Sequence, residues 1–421
     1  GGGGARGGAH IGVLQELERR RIPIDAIAGT SMGAIVGGLY ATGMSASELE
    51  SLLGSLDWAG ALSDKPDRED LSFRRKQDDA EVPIDFELGL RGTSLVLPKG
   101  VVQGQNLDLL LRELTLGVSH IDDFNQLPIP FRAIASDIER GEIHVMAGGD
   151  LAMAIRASMS VPAVFTPVRM DGRLLVDGGI VGNLPVDVMQ AMDVDVIIAV
   201  DVEFPLYTSE QLQSALTISE QMLTILIRKE TLRQIEKLGE NDILIRPNLG
   251  TYASTDFTNV LDTVEPGRLA VGEQAAKLDN IALDEPQWVA HLAARGEPSE
   301  PASHLAFVRV VHDGKLAPRV LESKLDVQAG DPIDHAVLAR NADYLYGLQL
   351  YEQVSYRLVE EDGRTGVEYQ ARAKSWGPTF LQFGVTLEDD FEGSTGFNLA
   401  ARMTRAGINR LGAEWRNDVQ L

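Results

Sequence analysis

The chain has 421 residues, 44% of them hydrophobic, which is enough for a full core and too many for one ordinary domain, so two or three are expected. Its 62 acidic against 38 basic residues give a formal net charge of −24, which argues against nucleic acid as a partner and leaves membrane contact through a local patch open. There is no cysteine, which excludes disulfides and thiolate metal sites and suits both a reducing cytosol and a protein crossing the periplasm; no apolar run has the length, about 18 residues, of a membrane-spanning helix.

The chain opens on Gly1-Gly2-Gly3-Gly4, with neither Met nor a signal peptide. A glycine run rarely begins a domain, so an upstream strand is expected before it. Gly1 to Gly8, with Arg6, reads as a glycine-rich loop feeding a helix from Ala9 to Arg21, whose end Arg19-Arg20-Arg21 complements the helix dipole. Such a loop presents backbone N–H groups to an anion. It lacks the Lys-Ser/Thr of a P-loop and the usual setting of G-x-G-x-x-G, so an oxyanion hole fits better than a phosphate site. His10, just after the loop, reads as a packing or solvent-facing residue rather than a catalytic one.

The next stretch organises the rest. An apolar run, Ile24 to Ala28, ends at Gly29-Thr30-Ser31-Met32-Gly33, and small apolar residues continue to Ala41. This predicts strand, sharp turn and helix, with Ser31 at the corner, its hydroxyl facing out and a helix N-terminus behind it. Gly29 and Gly33 are needed because a Cβ would collide with the neighbouring strand and helix. A plain βα turn gives the same pattern, and the flanking strand and small-residue helix favour the nucleophile.

Farther on, Ser45 to Leu56 reads as a helix with Ser45 as N-cap and Glu48 as its early acid. Asp64 to Glu81 reads as surface loop, Glu87 to Lys99 as a hairpin or excursion near the site, and Gly104 to Leu116 as helix. Phe131–Asp137 and Glu142–Met146 are expected to pair as strands, followed by a short helix at Asp150–Ser158 and a turn at Val161-Pro162. Leu174-Leu175-Val176 is an apolar strand that delivers Asp177 to its end, before Gly178-Gly179. Ligands of open α/β sheets bind at such ends, although Asp-Gly is also a common turn. Val194 to Val200 has the continuous apolar character of a buried parallel strand. Glu210 to Leu238 is a long helix whose patch Met222, Leu223, Ile225, Leu226, Ile227 is expected to be buried in the core or at a subunit contact. Ile243–Ile245 is a strand and Val271–Leu283 a closing helix.

Residues 286–302 break the composition and read as a linker. The part after it, 303–376, is a β-α-α-β-β series: strands Leu305–His312, Tyr351–Val359 and Val367–Ala373, and helices Ala317–Leu325 and Asp334–Tyr346, the second started by Asp331-Pro332. From 377 to 421, the segments Phe380–Phe391, Gly396–Arg405 and Arg410–Val419 alternate over about ten residues each, as in an outer-membrane barrel strand or a soluble β-meander. Leu381, Phe383, Val385 and Leu387 fall on one face. Three strands neither close a barrel nor cover both edges, so a fragment or a partner chain is expected.

The glycine loop with Arg6, Gly29-x-Ser31-x-Gly33, the segment Ala157-Ser158-Met159-Ser160-Val161-Pro162-Ala163-Val164-Phe165, and Asp177-Gly178-Gly179, in this order, resemble the patatin-like phospholipases over residues 1–285. The following domain is similar to a POTRA domain and the tail to the first strands of a barrel, a series resembling the type Vd autotransporters. The resemblance implies an α/β fold with a mostly parallel sheet flanked by helices, then a small α+β domain and barrel strands. It implies a Ser-Asp dyad with Ser31 as nucleophile and Asp177 as general base. The N–H groups of Gly2, Gly3 and Gly4 would form the oxyanion hole, with Arg6 supporting the loop. The substrates would be acyl esters of phospholipids, cleaved by a phospholipase A activity of A1 or A2 type. Partners would be phospholipid membranes, the outer-membrane assembly machinery and a second copy through Met222–Ile227, with the enzyme at the cell surface or released. No cofactor and no metal are expected, since no His/Asp cluster has ligand spacing. A carboxylate is a weak base for an alcohol, so Asp177 needs burial to raise its pKa. Two other classes stay open: a silent binding or adhesion protein on the same fold, and a phosphate- or nucleotide-binding protein using Gly1–Gly8.

Overall fold

A computed structural model describes residues 1–64, 71, 75–76, 87–202, 204–295, 303–389 and 395–420. Its strands are β1 (Ile27–Thr30), β2 (Glu87–Arg91), β3 (Ser94–Val96), β4 (Phe131–Asp137), β5 (Glu142–Met146), β6 (Val168–Met170), β7 (Arg173–Asp177), β8 (Ile198–Val200), β9 (Ile243–Ile245), β10 (Val308–His312), β11 (Tyr351–Glu361), β12 (Arg364–Ala373), β13 (Thr379–Asp389), β14 (Thr395–Arg405) and β15 (Trp415–Gln420). The chain forms two compact units, Gly1–Ala59 with Leu114–Pro301 and Gly60–Glu113 with Ala302–Leu421.

In the first unit the sheet runs β1-β4-β7-β6, with β5 on β4, and β8-β9 form a separate pair. The mostly parallel sheet expected from the sequence is instead mixed. β1/β4 and β8/β9 are parallel, whereas β7 and β5 are antiparallel to β4. For β5 the reason is local, since β4 turns back through Asp137–Glu142 into it; β7 is joined in turn to β6 by a hairpin through Asp171-Gly172, both with positive φ. Helix α1 (Ala9–Arg19) lays Val13 and Leu17 against Ile243, Ile245 and Val271, a cluster of buried aliphatics each contributing about 1.5–3 kcal/mol. Helix α2 (Met32–Ala41) is buried along its whole length, which its small residues allow. Ser45 and Glu48 form the expected capping box.

Several elements differ from the sequence reading. The closing helix is broken into Val264–Gly272 and Ala275–Leu278, at a glycine, a poor helix former. The linker begins as a helix, Glu285–Ala294, because Asp284 caps it and Pro286 sits in the first turn, where proline costs no hydrogen bond; residues 296–302 lie outside the described residues. Most of the loop read at Asp64–Glu81 lies outside them too. The long helix spans Ala215–Ile235, and its apolar patch does not enter the core: Met222 is 62% exposed, and Ile225 and Leu226 are exposed beside it. The residues it buries near its C-terminal end, Thr231 and Gln234, are polar and hydrogen-bonded to Asn183 and Asp187.

The second unit holds a sheet β10-β12-β11 and an open sheet β15-β14-β13-β2-β3. The β-α-α-β-β order is observed, with helices Pro318–Glu322 and His335–Tyr346. The second helix is capped by Asp334, whose side chain accepts from Val337 N, rather than started by Asp331-Pro332, because Pro332 bridges to His304. The hairpin read at Glu87–Lys99 forms, turning at Gly92 (φ +64°), but it extends the edge of β13 in this unit rather than the sheet that carries Ser31. The helix Gln105–Leu114 belongs here as well. Buried Gln105 donates to Val354 O and accepts from Val354 N, both at 2.8 Å, and Leu109 enters the core with Leu338, Leu345 and Tyr356. No closed barrel is formed among the described residues.

Candidate active site

β4 brings the site together. Thr30 at the end of β1 pairs with Ile134, and Asp177 at the end of β7 pairs with Ala135. β5 takes one edge of β4, so β1 and β7 share the other, run toward each other along it and end one residue apart, which places Ser31 and Asp177 side by side although they lie far apart in sequence. Ser31 has φ +54° and ψ −122°, a conformation that L-residues avoid. The turn holds it there: Ala34 N and Ile35 N both donate to Ser31 O, and α2 starts at the next residue. A Cβ on Gly29 would lie 2.3 Å from Gly33 O, and one on Gly33 would lie 2.7 Å from Gly1 O, so both motif glycines are sterically required.

Ser31 and Asp177 are each 8% exposed. Asp177 Oδ1 accepts the Gly179 N–H at 2.7 Å, while Oδ2 is buried with no hydrogen-bond partner. The Ser31 hydroxyl lies near enough to lower the carboxylate pKa but short of a formed hydrogen bond. Burial dominates and pushes the Asp177 pKa up to about 6, against the smaller opposing effects of Gly179 and Ser31. The backbone of Asp177 is fixed on both sides: its N–H donates to Ser160 O at 2.9 Å, and its C=O accepts from Ser136 Oγ at 2.7 Å. Gly178 is held against β4, where a Cβ would lie 2.4 Å from Ile134 O.

The glycine loop folds into a 3-10 turn, Gly4–Gly8. Of the three glycines read as oxyanion donors, Gly2 is already engaged, since its N–H donates to Asn183 O at 3.2 Å. Gly3 and Gly4 precede the first donor within the turn, so the turn does not engage their N–H groups. Arg6 is buried, and its guanidinium donates to Val202 O, Gly250 O and Tyr252 O at 3.1, 3.2 and 2.7 Å. It therefore pins the loop from within, which leaves a phosphate group little access to it. His10 is buried, bonded through Nε2 to Gly1 O at 2.8 Å, and desolvation pushes its pKa down to about 3, so it is a neutral packing residue. Among the described residues no histidine acts on the Asp177 carboxylate, and no group of three His, Asp or Glu could hold a metal ion.

Sequence reasoning missed three contributors. Met32, directly after Ser31, has its N–H at the first position of α2, without an intrahelical acceptor. Asn183 holds Gly2 and reaches Thr231 Oγ1 at 3.2 Å. Ser158 accepts the Ser31 N–H at 2.9 Å. The elbow pattern itself signals Met32; Ser158 stands in the Ala157–Phe165 segment, which by itself gives it no role, and Asn183 acts through contacts that no local motif encodes. A cavity of about 830 Å³, lined by Ala26, Ile27 and Ala28 on one side and by Ile198, Ala199 and Val200 on the other, reaches the elbow at Gly33 and the glycine loop at Gly1, although neither Ser31 nor Asp177 lines it.

Fold and site together define an α/β unit with a serine at a strained strand–helix elbow and a buried carboxylate beside it. Residues 1–189 match the profile of the patatin-like phospholipase family. An uncharacterized NTE family protein of Mycobacterium tuberculosis is 35% identical over 200 residues, 48% of this chain and 47% of that protein. The lysophospholipase NTE1 of Mycosarcoma maydis is 36% identical over 203 residues, and patatin-like phospholipase domain-containing protein 6 of Homo sapiens is 32% identical over 204, covering 9% and 13% of those longer proteins. The chain thus spans about half the length of the mycobacterial relative and much less of the other two.

Proposed function

We propose that the chain is a lipid acyl hydrolase of phospholipase A type, working through a Ser31–Asp177 dyad and an acyl-enzyme. The observation that carries this reading is the pairing of a strained, buried serine with a carboxylate whose pKa is pushed up to about 6. A base with that pKa is ionised at neutral pH, yet basic enough to accept a proton. Asp177 takes the hydroxyl proton as Ser31 Oγ attacks the acyl carbonyl, and the oxyanion sits at the N–H groups of Gly3, Gly4 and Met32. The intermediate collapses, the lysophospholipid alcohol leaves with the proton from Asp177, and a water activated by Asp177 releases the fatty acid. The names of the fungal and human relatives support a lipid ester as substrate.

The test is fatty-acid release from phospholipid vesicles by the wild type, Ser31→Ala and Asp177→Asn, with folding checked by circular dichroism. Loss of at least a thousandfold in both folded variants is expected. Loss in Ser31→Ala alone would remove Asp177 as the base, and equal or absent turnover in all three would favour the binding-protein reading. The exposed apolar face of the Ala215–Ile235 helix supports action at a lipid surface, with self-association as the alternative that sedimentation would reveal.

A second reading concerns the tail, which we propose belongs to an outer-membrane strand array following a POTRA-like domain. Register supports it: Leu381 pairs with Met403 and Phe383 with Ala401, so the two apolar alternations share one face, while Gln382 and Arg402 share the other. Recovery of the full-length product in the outer-membrane fraction is expected, and a wholly soluble product would refute it.

A further inference from the structure

We infer that Ser158 is a positioning residue that sets the distance between the two halves of the proposed dyad. The inference rests on the hydrolase reading above and adds a residue to it. Ser158 closes the helix Leu151–Ser158 and is fully buried. Its hydroxyl accepts the N–H of Ser31 at 2.9 Å and donates to Ile134 O of β4 at 2.5 Å. Its carbonyl accepts the N–H of Gly178, next to Asp177, at 3.3 Å. One residue therefore holds the backbone of the nucleophile with its side chain and the backbone of the base with its main chain.

The elbow needs such a tether. Ser31 sits in a disfavoured conformation, and a strained turn persists only where its surroundings over-determine it. Its N–H points away from the helix ladder and would otherwise be an unsatisfied buried donor. β1 stops at Thr30, so no strand pairing reaches Ser31. The Ser158 hydroxyl supplies the missing acceptor and anchors it to Ile134, the residue paired with Thr30 and adjacent to the one paired with Asp177. Ser158 is fully buried, and its effect passes through Ser31.

Ser158→Ala removes the tether and leaves Ser31 N–H and Ile134 O without their partner; Ser158→Thr keeps the hydroxyl. The expected result in the full chain is a kcat for vesicle phospholipid about 10- to 100-fold lower in Ser158→Ala, with KM changed less than threefold and the pH midpoint unmoved. Labelling of Ser31 by a fluorophosphonate should slow in parallel, and Ser158→Thr should recover most of both rates. A folded Ser158→Ala with kcat within twofold of wild type overturns the inference, as does a folded Ser158→Thr as slow as the alanine variant. If the alanine variant does not fold, Ser158→Cys, whose thiol is a weak hydrogen-bonding group, takes its place: a tenfold lower kcat than Ser158→Thr is expected, and equal rates overturn the inference. Should the wild type neither turn over lipid nor label, the hydrolase reading fails by itself. Hydrogen exchange at the Ser31 amide then decides the tether, with protection in wild type and Ser158→Thr and fast exchange in Ser158→Ala expected, and equal exchange overturning it.

Discussion

At Asp177, chemistry and stability pull in opposite directions. Burial raises its pKa from 3.8 to about 6, so the folded state holds the proton more tightly than the unfolded chain does. The stability this contributes is fully present below pH 3.8 and is lost as the pH rises through about 6; at neutral pH the ionised carboxylate costs up to about 3 kcal/mol. Asp177→Asn is therefore expected to melt at a higher temperature than wild type at pH 8 and at nearly the same temperature at pH 4, which thermal unfolding at the two pH values checks. Hydrolysis should run the other way, rising as pH passes about 6 and levelling above it, as a base that must be ionised requires. Ser31 carries a second cost. Its φ of +54° is free to glycine and strained for alanine, so Ser31→Gly should be more stable than Ser31→Ala by about 1 kcal/mol, measured by denaturant unfolding. Ser31, Asp177 and the motif glycines were legible in the sequence because each sits in a local pattern, strand then turn. The roles of Ser158, although it stands in the Ala157–Phe165 segment, and of Asn183 were not, because their partners are brought near only by the register of β1 and β7 on β4.

At the scale of elements, periodicity located most strands and helices but said little about what they pair with. β5 and β4 were expected to pair and do, since a short turn joins them. The antiparallel placement of β7 was not foreseeable from an apolar run that reads the same in either direction. Two further edges have a physical consequence. Among the described residues β1 pairs with β4 alone and β8 with β9 alone, and their apolar residues line the two sides of one cavity. Each edge leaves backbone N–H and C=O groups without ladder partners, and the lining is aliphatic on both sides, which suits one extended apolar strand. Fusing about five β-branched apolar residues directly before Gly1 is expected to raise the melting temperature, and a Gly-Ser extension of equal length should not. The apolar face of the Ala215–Ile235 helix shows the opposite limit of pattern reading: a run apolar almost all round was expected in the core or at a subunit contact, and the fold keeps it out of the core, burying Thr231 and Gln234 and leaving Met222, Ile225 and Leu226 exposed.

Over the whole molecule, the boundary of the first unit does not follow the order of the sequence. A reading along the chain assigns everything up to residue 285 to one domain, but Gly60–Glu113 groups with Ala302–Leu421. The physical reason lies in two contacts that composition does not encode. Gln105 satisfies both backbone groups of Val354 on the edge strand β11, and Glu87–Gln382 and Gly89–Phe380 pairing joins β2 to β13. Truncation should respect that boundary. A chain ending at residue 301 keeps Leu109 and the hairpin but loses the core that Leu109 enters and the strand β13 that the hairpin pairs with, leaving apolar side chains and strand edges uncovered. It is expected to aggregate, as judged by gel filtration and binding of a hydrophobic dye. Replacing residues 60–113 of that same truncation by a flexible linker removes the uncovered elements while keeping Ser31, Ser158 and Asp177 with all of their partners. That version should elute as a discrete, folded species and label at Ser31 with fluorophosphonate. If the uncut truncation is the better behaved of the two, Gly60–Glu113 contributes more to the first unit than its contacts in the second imply.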